Sequence, residues 1–167
     1  SINAFHMDEY VGLGKTAPQR FGEFLRTHIF DHVDFKSVHF LNTDTDDEDA
    51  ECLRYSKLLK KFPVDIVCMG IGENGHIAFN DPHAAKFDDS SAVKIVELDE
   101  ICRRQQVNDG CFKSIDDVPK KALTLTVPAL KAAAHHFCIV PSATKAEAVK
   151  RTIMGEITEK CPATVLR

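Results

Sequence analysis

The sequence predicts an α/β fold with a mainly parallel sheet, and three features lead to this class. Short runs rich in β-branched residues, such as 66–69 and 136–140, have the length and composition of strands. Segments with apolar residues at helical spacing, such as 18–29, lie between such runs. A glycine-rich loop directly follows one of the predicted strands. Strands that alternate with helices in this way are typical of a parallel sheet.

The individual elements follow from local signals. The predicted strands cover residues 2–7, 38–41, 66–69, 92–98, 122–127 and 136–140. Helices are predicted to begin at Pro18, after the acidic run 44–49, after the cap Asp99, at Pro128, and after the cap Ser142. The last helix ends at Gly155, and its predicted packed stripe is Ala146, Val149 and Ile153. Residues 107–117 are polar and weakly periodic, which favours a mobile flap.

Length and composition indicate an ordinary globular domain. The 167 residues are 44% hydrophobic and 28% charged, with a formal net charge of −4, so we expect residues 1–167 to form a single α/β domain. A weakly acidic chain without basic clusters argues against a nucleic-acid surface, and no apolar run approaches the length that crosses a membrane. Because the chain opens on residues that already resemble a strand interior, we expect it to be a fragment of a longer protein.

The six cysteines, at positions 52, 68, 102, 111, 138 and 161, are scattered singly without a C-x-x-C pair. Cys68 and Cys138 lie in apolar strand-like runs, where a free thiol behaves as a small hydrophobic side chain. The pattern predicts buried structural thiols in a reducing compartment, and therefore a cytoplasmic protein, rather than a disulfide framework.

The loop after the strand at 66–69 contains Gly70, Gly72 and Gly75, which let the backbone turn and leave room for a ligand close to it. The same spacing satisfies the dinucleotide-binding fingerprint, G-x-G-x-x-G. That fingerprint must open a long helix, and here Pro82 follows too soon. We therefore reject a dinucleotide cofactor.

Four side chains suited to acid–base chemistry lie at or just after predicted strand ends: Asp8, Asn74, His76 and Asp81. Taken singly, each has a structural explanation as a loop cap or a turn residue. Ligands of open α/β sheets bind at the carboxyl ends of strands, so two such ends that converge on one crevice favour a functional site. Lys145, close to a helix start, is either an anion ligand or a solvent-exposed lysine.

The motifs at 5–13, 70–82, 121–124 and 142–146 resemble those of the glucosamine-6-phosphate deaminase (isomerase) family, in order and with comparable spacing. The resemblance implies a three-layer Rossmann-like fold. It also implies a reaction in which glucosamine 6-phosphate and water give fructose 6-phosphate and ammonia, within amino sugar metabolism. No cofactor or metal ion is implied. The expected partner is a small sugar phosphate, and a homo-oligomer is possible because related enzymes range from monomers to hexamers.

The resemblance also implies roles for individual residues. His76 matches the histidine that opens the sugar ring, and Asp8 matches the base that moves a proton between carbons. Asn74 and Asp81 match residues that orient the histidine and assist ring opening. Lys145 matches a phosphate ligand. Gly72 and Gly75 lie in the matching loop, where we expect substrate contacts.

Several positions depart from the family pattern. Some members have aspartate at the position of Asn74 and glutamate at that of Asp81, and Asn108 stands where relatives place a phosphate-binding arginine. The family's front portion, with its phosphate-binding loop, and its C-terminal tail have no counterpart in this chain. Residues 84–91 do not reproduce the allosteric pocket of regulated members, so we predict no activation by an N-acetylated sugar phosphate.

Other activities stay open at this stage. A 6-phosphogluconolactonase has a similar glycine–histidine loop, although the motif Met7–Tyr10 and the continuation Phe79–Asn80 favour the deaminase. A sugar-phosphate-sensing domain of a transcription regulator would share the architecture without turnover, but such a sensor should lose the base. Another amino-sugar phosphate, such as galactosamine 6-phosphate, is an alternative substrate.

Overall fold

A computed structural model of the chain describes residues 2–167. The strands are β1 (Asn3–Phe5), β2 (Asp8–Val11), β3 (Ser37–His39), β4 (Ile66–Met69), β5 (Val93–Glu97), β6 (Lys121–Leu125) and β7 (His135–Cys138). The α-helices are α1 (Phe21–Leu25), α2 (Glu48–Lys61), α3 (Glu100–Asn108), α4 (Val127–Lys131) and α5 (Ala146–Met154). Shorter helical turns are a π-helical turn at Arg26–Phe30 and 3₁₀ turns at Ile115–Asp117, Ala143–Lys145 and Pro162–Leu166.

The strands form three hydrogen-bonded groups. β1 pairs with β3 and β4 pairs with β7, both in parallel. The third group has the order β2-β6-β5 and is antiparallel throughout. The α/β class is confirmed, with parallel pairs beside one antiparallel group.

The predicted strand at 2–7 is shorter than expected, and a second strand follows it that the sequence did not predict. β1 ends at Phe5, and after His6 and Met7 the chain enters β2, whose first residue, Asp8, lies opposite Thr124 of β6. Sequence periodicity could not reveal this change, because the second strand is defined by a partner more than a hundred residues away. Asp8 therefore begins a strand, three residues beyond the end of β1.

The two predicted caps, Asp99 and Ser142, make the expected hydrogen bonds, and Asp47, a residue within the acidic run 44–49, also caps a helix. Asp47 at the start of α2 accepts a hydrogen bond from the N–H of Ala50, at 2.8 Å, and Asp99 accepts one from the N–H of Cys102, at 2.6 Å. Ser142 accepts one from the N–H of Thr144 at the start of the 3₁₀ turn that precedes α5. These short side chains satisfy backbone donors that have no partner within a helix.

The prediction that Cys68 and Cys138 are buried is wrong. Both thiols are exposed, whereas Cys52, Cys102 and Cys161 are buried. Side chains of a strand alternate between its two faces, and Val67 and Met69 occupy the packed face of β4 while Ile66 is 55% exposed. The apolar run reads as fully buried, but within residues 2–167 its second face is uncovered.

The predicted stripe of α5 is right only for Val149, which packs against the core, whereas Ala146 is exposed. The buried residues of this helix are Ala148 and Thr152, while Ile153 is exposed. Thr152 tolerates burial because its hydroxyl donates to the carbonyl of Ala148, at 2.8 Å.

Within the described part of the chain, no helix combines the length and the apolar character needed to cross a bilayer.

Candidate functional site

A cavity of about 470 Å³ opens where β1, β4 and β7 end. Three of the predicted functional side chains line it: Asp8, His76 and Lys145. α3 forms another wall of the cavity, together with the residues just after it, through Gln105, Gln106, Asp109 and Cys111. The strand ends thus bring together one carboxylate, one imidazole and one ammonium group from three distant segments, as expected for this edge of an α/β sheet.

The glycine loop seats the ring of His76. A Cβ atom built on Gly72 would lie 2.1 Å from Cε1 of His76, so any larger residue would displace the imidazole. Asn74 fixes the other side, because its Oδ1 accepts from the backbone N–H of His76, at 3.0 Å, and lies 2.8 Å from Nδ1 of the ring. Ala78, which also lines the cavity, has a φ of 48°, in the left-handed region that non-glycine residues rarely adopt.

Asp81 lies behind the histidine. One of its carboxylate oxygens is 3.1 Å from Nδ1 of His76 and accepts from the amide of Asn74, at 2.9 Å. The other accepts from the N–H of Asp99, at 3.1 Å. Burial alone would raise the pKa of Asp81, but these hydrogen bonds and the attraction of His76 lower it. Because both neighbours of Nδ1 are oxygen acceptors, the neutral imidazole carries its proton there and leaves Nε2 unprotonated.

Asp8 has a contrasting environment. Its side chain is only partly exposed, and the described residues contribute no hydrogen bond to its carboxylate. Burial, reinforced by the nearby charge of Glu9, raises the pKa of Asp8 to about 7. A carboxylate of this kind is an effective base near neutral pH, since its pKa matches the operating pH.

A buried polar network lies on the other side of β2. Glu9 is 1% exposed and accepts from the backbone N–H groups of Tyr10, Phe21 and Gly22, at 2.9, 3.2 and 2.9 Å. Arg20 lies 3.6 Å from the same carboxylate. Burial raises the pKa of Glu9, although these donors and Arg20 act in the opposite direction. The network ties the start of α1, and with it Phe21 of the cavity wall, to β2.

Lys145 is not a solvent-exposed lysine. It is 7% exposed, and its Nζ lies 3.3 Å from Asp109 and 3.6 Å from Glu73. Among the described residues that line the cavity, it is the only lysine or arginine. Asn108, at the position where relatives place an arginine, is exposed and does not line the cavity.

The other predicted residues act from outside the cavity wall. Asn74 and Asp81 hold His76 in place but do not line the cavity. Gly75 has a φ of 90°, and a Cβ there would lie 2.5 Å from the sulfur of Cys161. The backbone conformation and the close packing therefore explain why this position is glycine. Substrate contact at Gly75 stays a prediction.

Sequence reasoning missed Glu9, Gln106 and Asp109. Gln106 is 6% exposed and lines the cavity, so its amide is available to a ligand. The only sequence feature that could have indicated Gln106 was the pair Gln105–Gln106 on a helix with a predicted cap. Nothing in the sequence could show which face of that helix meets the glycine loop.

Two overlapping groups of side chains have the composition of a metal site: His76, Asp81 and Cys102 form one, and Asp81, His83 and Asp99 form the other. The ligand atoms of His76, Asp81 and Cys102 lie within 4.8 Å of one another. Burial raises the pKa of the Cys102 thiol, which disfavours the thiolate that a metal requires. The hydrogen bonds around Asp81 account for this arrangement without an ion.

Comparison with known proteins extends this picture. The sequence model of the family described as glucosamine-6-phosphate isomerases/6-phosphogluconolactonase matches residues 2–167. A glucosamine-6-phosphate deaminase of Bacillus cereus is 39% identical over 166 residues, as is one of Bacillus cytotoxicus. These alignments cover 99% of this chain and 62% of each relative. The chain thus spans less than two thirds of the length of the curated relatives it matches.

Solved structures show the same fold. A monomeric glucosamine-6-phosphate deaminase superimposes with a TM-score of 0.88 at 36% identity, covering 99% of this chain and 68% of that one. A 6-phosphogluconolactonase from Thermotoga maritima gives a TM-score of 0.70 at 15% identity, covering 95% and 66%. At that identity the second likeness concerns the fold alone.

Proposed function

Because the chain belongs to the family of glucosamine-6-phosphate isomerases and 6-phosphogluconolactonases, we propose that the whole protein converts glucosamine 6-phosphate and water to fructose 6-phosphate and ammonia. The observation that carries the proposal is the pairing of two proton-transfer groups in one cavity. One is Asp8, with its pKa raised to about 7, and the other is His76, fixed by Asn74 and Asp81.

His76 opens the sugar ring. In the closed substrate, a proton must move from the anomeric hydroxyl to the ring oxygen before carbon 1 becomes an aldehyde. With Nδ1 held by Asn74 and Asp81, Nε2 is the nitrogen that takes this proton and returns it. Asn74 and Asp81 are positioning residues in this step, since they act through the imidazole.

Asp8 then moves a proton between carbons. Its carboxylate removes the proton from carbon 2, which bears the amine. The electron pair of that bond forms a double bond to carbon 1, the π pair of the aldehyde moves to its oxygen, and this oxygen takes a proton from solvent to give the enolamine. The same carboxyl group returns the proton to carbon 1, which leaves an imine at carbon 2. Water adds to that imine and ammonia leaves, giving the ketose. Each positioned proton transfer contributes roughly 10²- to 10⁴-fold in rate.

Lys145 supports the choice of a phosphorylated substrate, because a buried ammonium in the cavity wall suits an anionic group. Glucosamine 6-phosphate is favoured over a lactone because ester hydrolysis requires no proton abstraction from carbon. In lactone hydrolysis such a base would activate water instead, so the 39% identity to glucosamine-6-phosphate deaminases, against 15% to the lactonase, also supports the deaminase reaction.

The test measures two activities of the full-length protein in parallel. Ammonia release is followed with glucosamine 6-phosphate and galactosamine 6-phosphate, and lactone hydrolysis with 6-phosphogluconolactone. We expect ammonia release from glucosamine 6-phosphate to dominate. Lactone hydrolysis without ammonia release would reassign the protein to the lactonase branch. Sugar-phosphate binding without either reaction would indicate a sensor.

A further inference from the structure

The ammonium group of Lys145 is already paired with two carboxylates in this structure. Its Nζ lies 3.3 Å from Oδ2 of Asp109 and 3.6 Å from Oε1 of Glu73. A phosphate that reached Lys145 would meet the charge of Asp109 at the same ammonium, since both Asp109 and Lys145 line the cavity. Two anions at such short range repel each other. One of the carboxylates must therefore give way when an anion binds.

Asp109 is the carboxylate better placed to leave. Its side chain is 40% exposed, against 22% for Glu73. Asp109 also lines the cavity, whereas Glu73 does not, so an anion that enters the cavity meets Asp109 first. Asp109 can turn toward solvent by side-chain rotation alone.

The position of Asp109 at the end of α3 favours this release. It is the C-cap residue of the helix, where the negative end of the helix dipole disfavours a carboxylate. The pairing with Lys145 offsets that cost. The backbone stays in place because the N–H of Asp109 donates to the carbonyl of Gln105, at 2.8 Å, and that of Gly110 to Val107, at 3.0 Å. Only the side chain depends on the ammonium.

Resting on the proposed function, we propose that Asp109 is a specificity-determining residue that competes with the phosphate of the substrate for Lys145. Substrate binding exchanges the carboxylate of Asp109 for the phosphate, and the released carboxylate turns to solvent. An uncharged sugar cannot drive this exchange, so Lys145 stays paired with Asp109 and such a sugar gains nothing from the ammonium. Asp109 thereby sets the phosphate affinity of the site.

The experiment compares the full-length protein with its Asp109→Asn variant. Titration with inorganic phosphate, followed by calorimetry, should give a Kd that falls about two- to tenfold, the range expected for one part-exposed ion pair next to a multivalent anion. The KM for glucosamine 6-phosphate should fall by a similar factor with kcat within about twofold. The control is Glu100→Gln, which removes the same charge from the opposite end of α3. Glu100 is exposed there and pairs with Arg104. This variant should change neither the Kd for phosphate nor the KM for glucosamine 6-phosphate.

A Lys145→Met background completes the cycle. There Asp109→Asn should lose its effect, because no ammonium is left to compete for. An unchanged or weaker phosphate affinity in Asp109→Asn would overturn the proposal, and so would the absence of phosphate binding to both proteins. Because phosphate binding needs no turnover, tighter binding in a protein that releases no ammonia would refute the proposed function while keeping the role of Asp109.

Discussion

Two aspartates of one site have opposite environments. Asp81, behind the histidine, is hydrogen-bonded to the amide of Asn74 and the N–H of Asp99 and lies 3.1 Å from His76, and its pKa is lowered. Asp8, at the cavity wall, has Glu9 as a neighbour, and burial and that charge raise its pKa to about 7. The difference teaches that hydrogen-bond partners, not burial alone, decide whether a carboxylate holds a catalytic group or acts as the base.

The largest expected effect comes from removing the base. Asp8→Asn should lower kcat for deamination by about 10³-fold or more, because the amide cannot take the proton from carbon 2. Binding of the sugar phosphate should stay nearly unchanged. Steady-state ammonia release and calorimetric binding of a non-reactive sugar phosphate measure the two effects. Loss of binding in parallel with turnover would mean that Asp8 is structural.

Removing the ring-opening group should have the next largest effect. His76→Gln should lower kcat with the cyclic substrate by about 10²- to 10³-fold. An open-chain substrate analogue needs no ring opening, so its turnover should be much less affected. Equal defects with the cyclic and open-chain forms would contradict the role assigned to His76. The step in which His76 acts would then no longer be distinct from the step in which Asp8 acts.

The two aspartates should affect stability in opposite directions. Asp81→Asn should destabilise the fold at pH 7 by about 2 to 4 kcal/mol, since it breaks a buried hydrogen-bonded pair. The pKa of Asp81 is lower in the folded protein than in the unfolded chain. Its contribution to the free energy of unfolding is therefore present above its pKa in the unfolded chain, and it is lost as the pH falls through its pKa in the folded protein. Asp8→Asn should instead stabilise the protein at pH 8, by about 1 to 2 kcal/mol, which is less than the roughly 4 kcal/mol of the full pKa shift because the side chain is partly exposed to solvent.

The pH dependence separates the two cases. The pKa of Asp8 is raised in the fold, so its contribution to stability is present below about pH 4 and is lost as pH rises through about 7. The benefit of Asp8→Asn should therefore appear between pH 4 and pH 8 and vanish in acid. Thermal unfolding across this range measures both variants. A stabilising Asp81→Asn, or an Asp8→Asn effect independent of pH, would remove the distinction between them.

Much of the fold was predictable because its signals are local. The cap Asp99 and the strand at 66–69 depend on neighbouring residues, and both are where the sequence predicts them. The argument against a long helix after the glycine loop was also local, since residues 73–75 form a turn and a bend and no helix follows before α3 in the described chain.

The errors concern contacts between distant segments. Whether Cys68 is covered depends on what packs on the second face of β4, and the start of β2 depends on its pairing with β6. For the site, His76 and Lys145 stand out by type and motif. Asp109 and Glu9 do not stand out in this way. Asp109 matters because of its contact with Lys145, which is distant in sequence. Glu9 matters because of its effect on Asp8, which lies on the opposite face of the same strand.

The smallest expected effect tests how the pKa of Asp8 is set. Glu9→Gln removes the neighbouring negative charge and keeps one of the two oxygens that accept from the N–H groups of Phe21 and Gly22. Ionisation of Asp8 then becomes easier, so the lower pKa in the pH profile of kcat/KM should fall by about 0.3 to 1. The matched control is Asp44→Asn, which removes a carboxylate from the far side of Arg20 and should leave the profile in place. If the pH profile shifts equally in both variants, the network affects the pKa of Asp8 through Arg20. If the profile of Glu9→Gln does not shift, burial alone raises the pKa of Asp8.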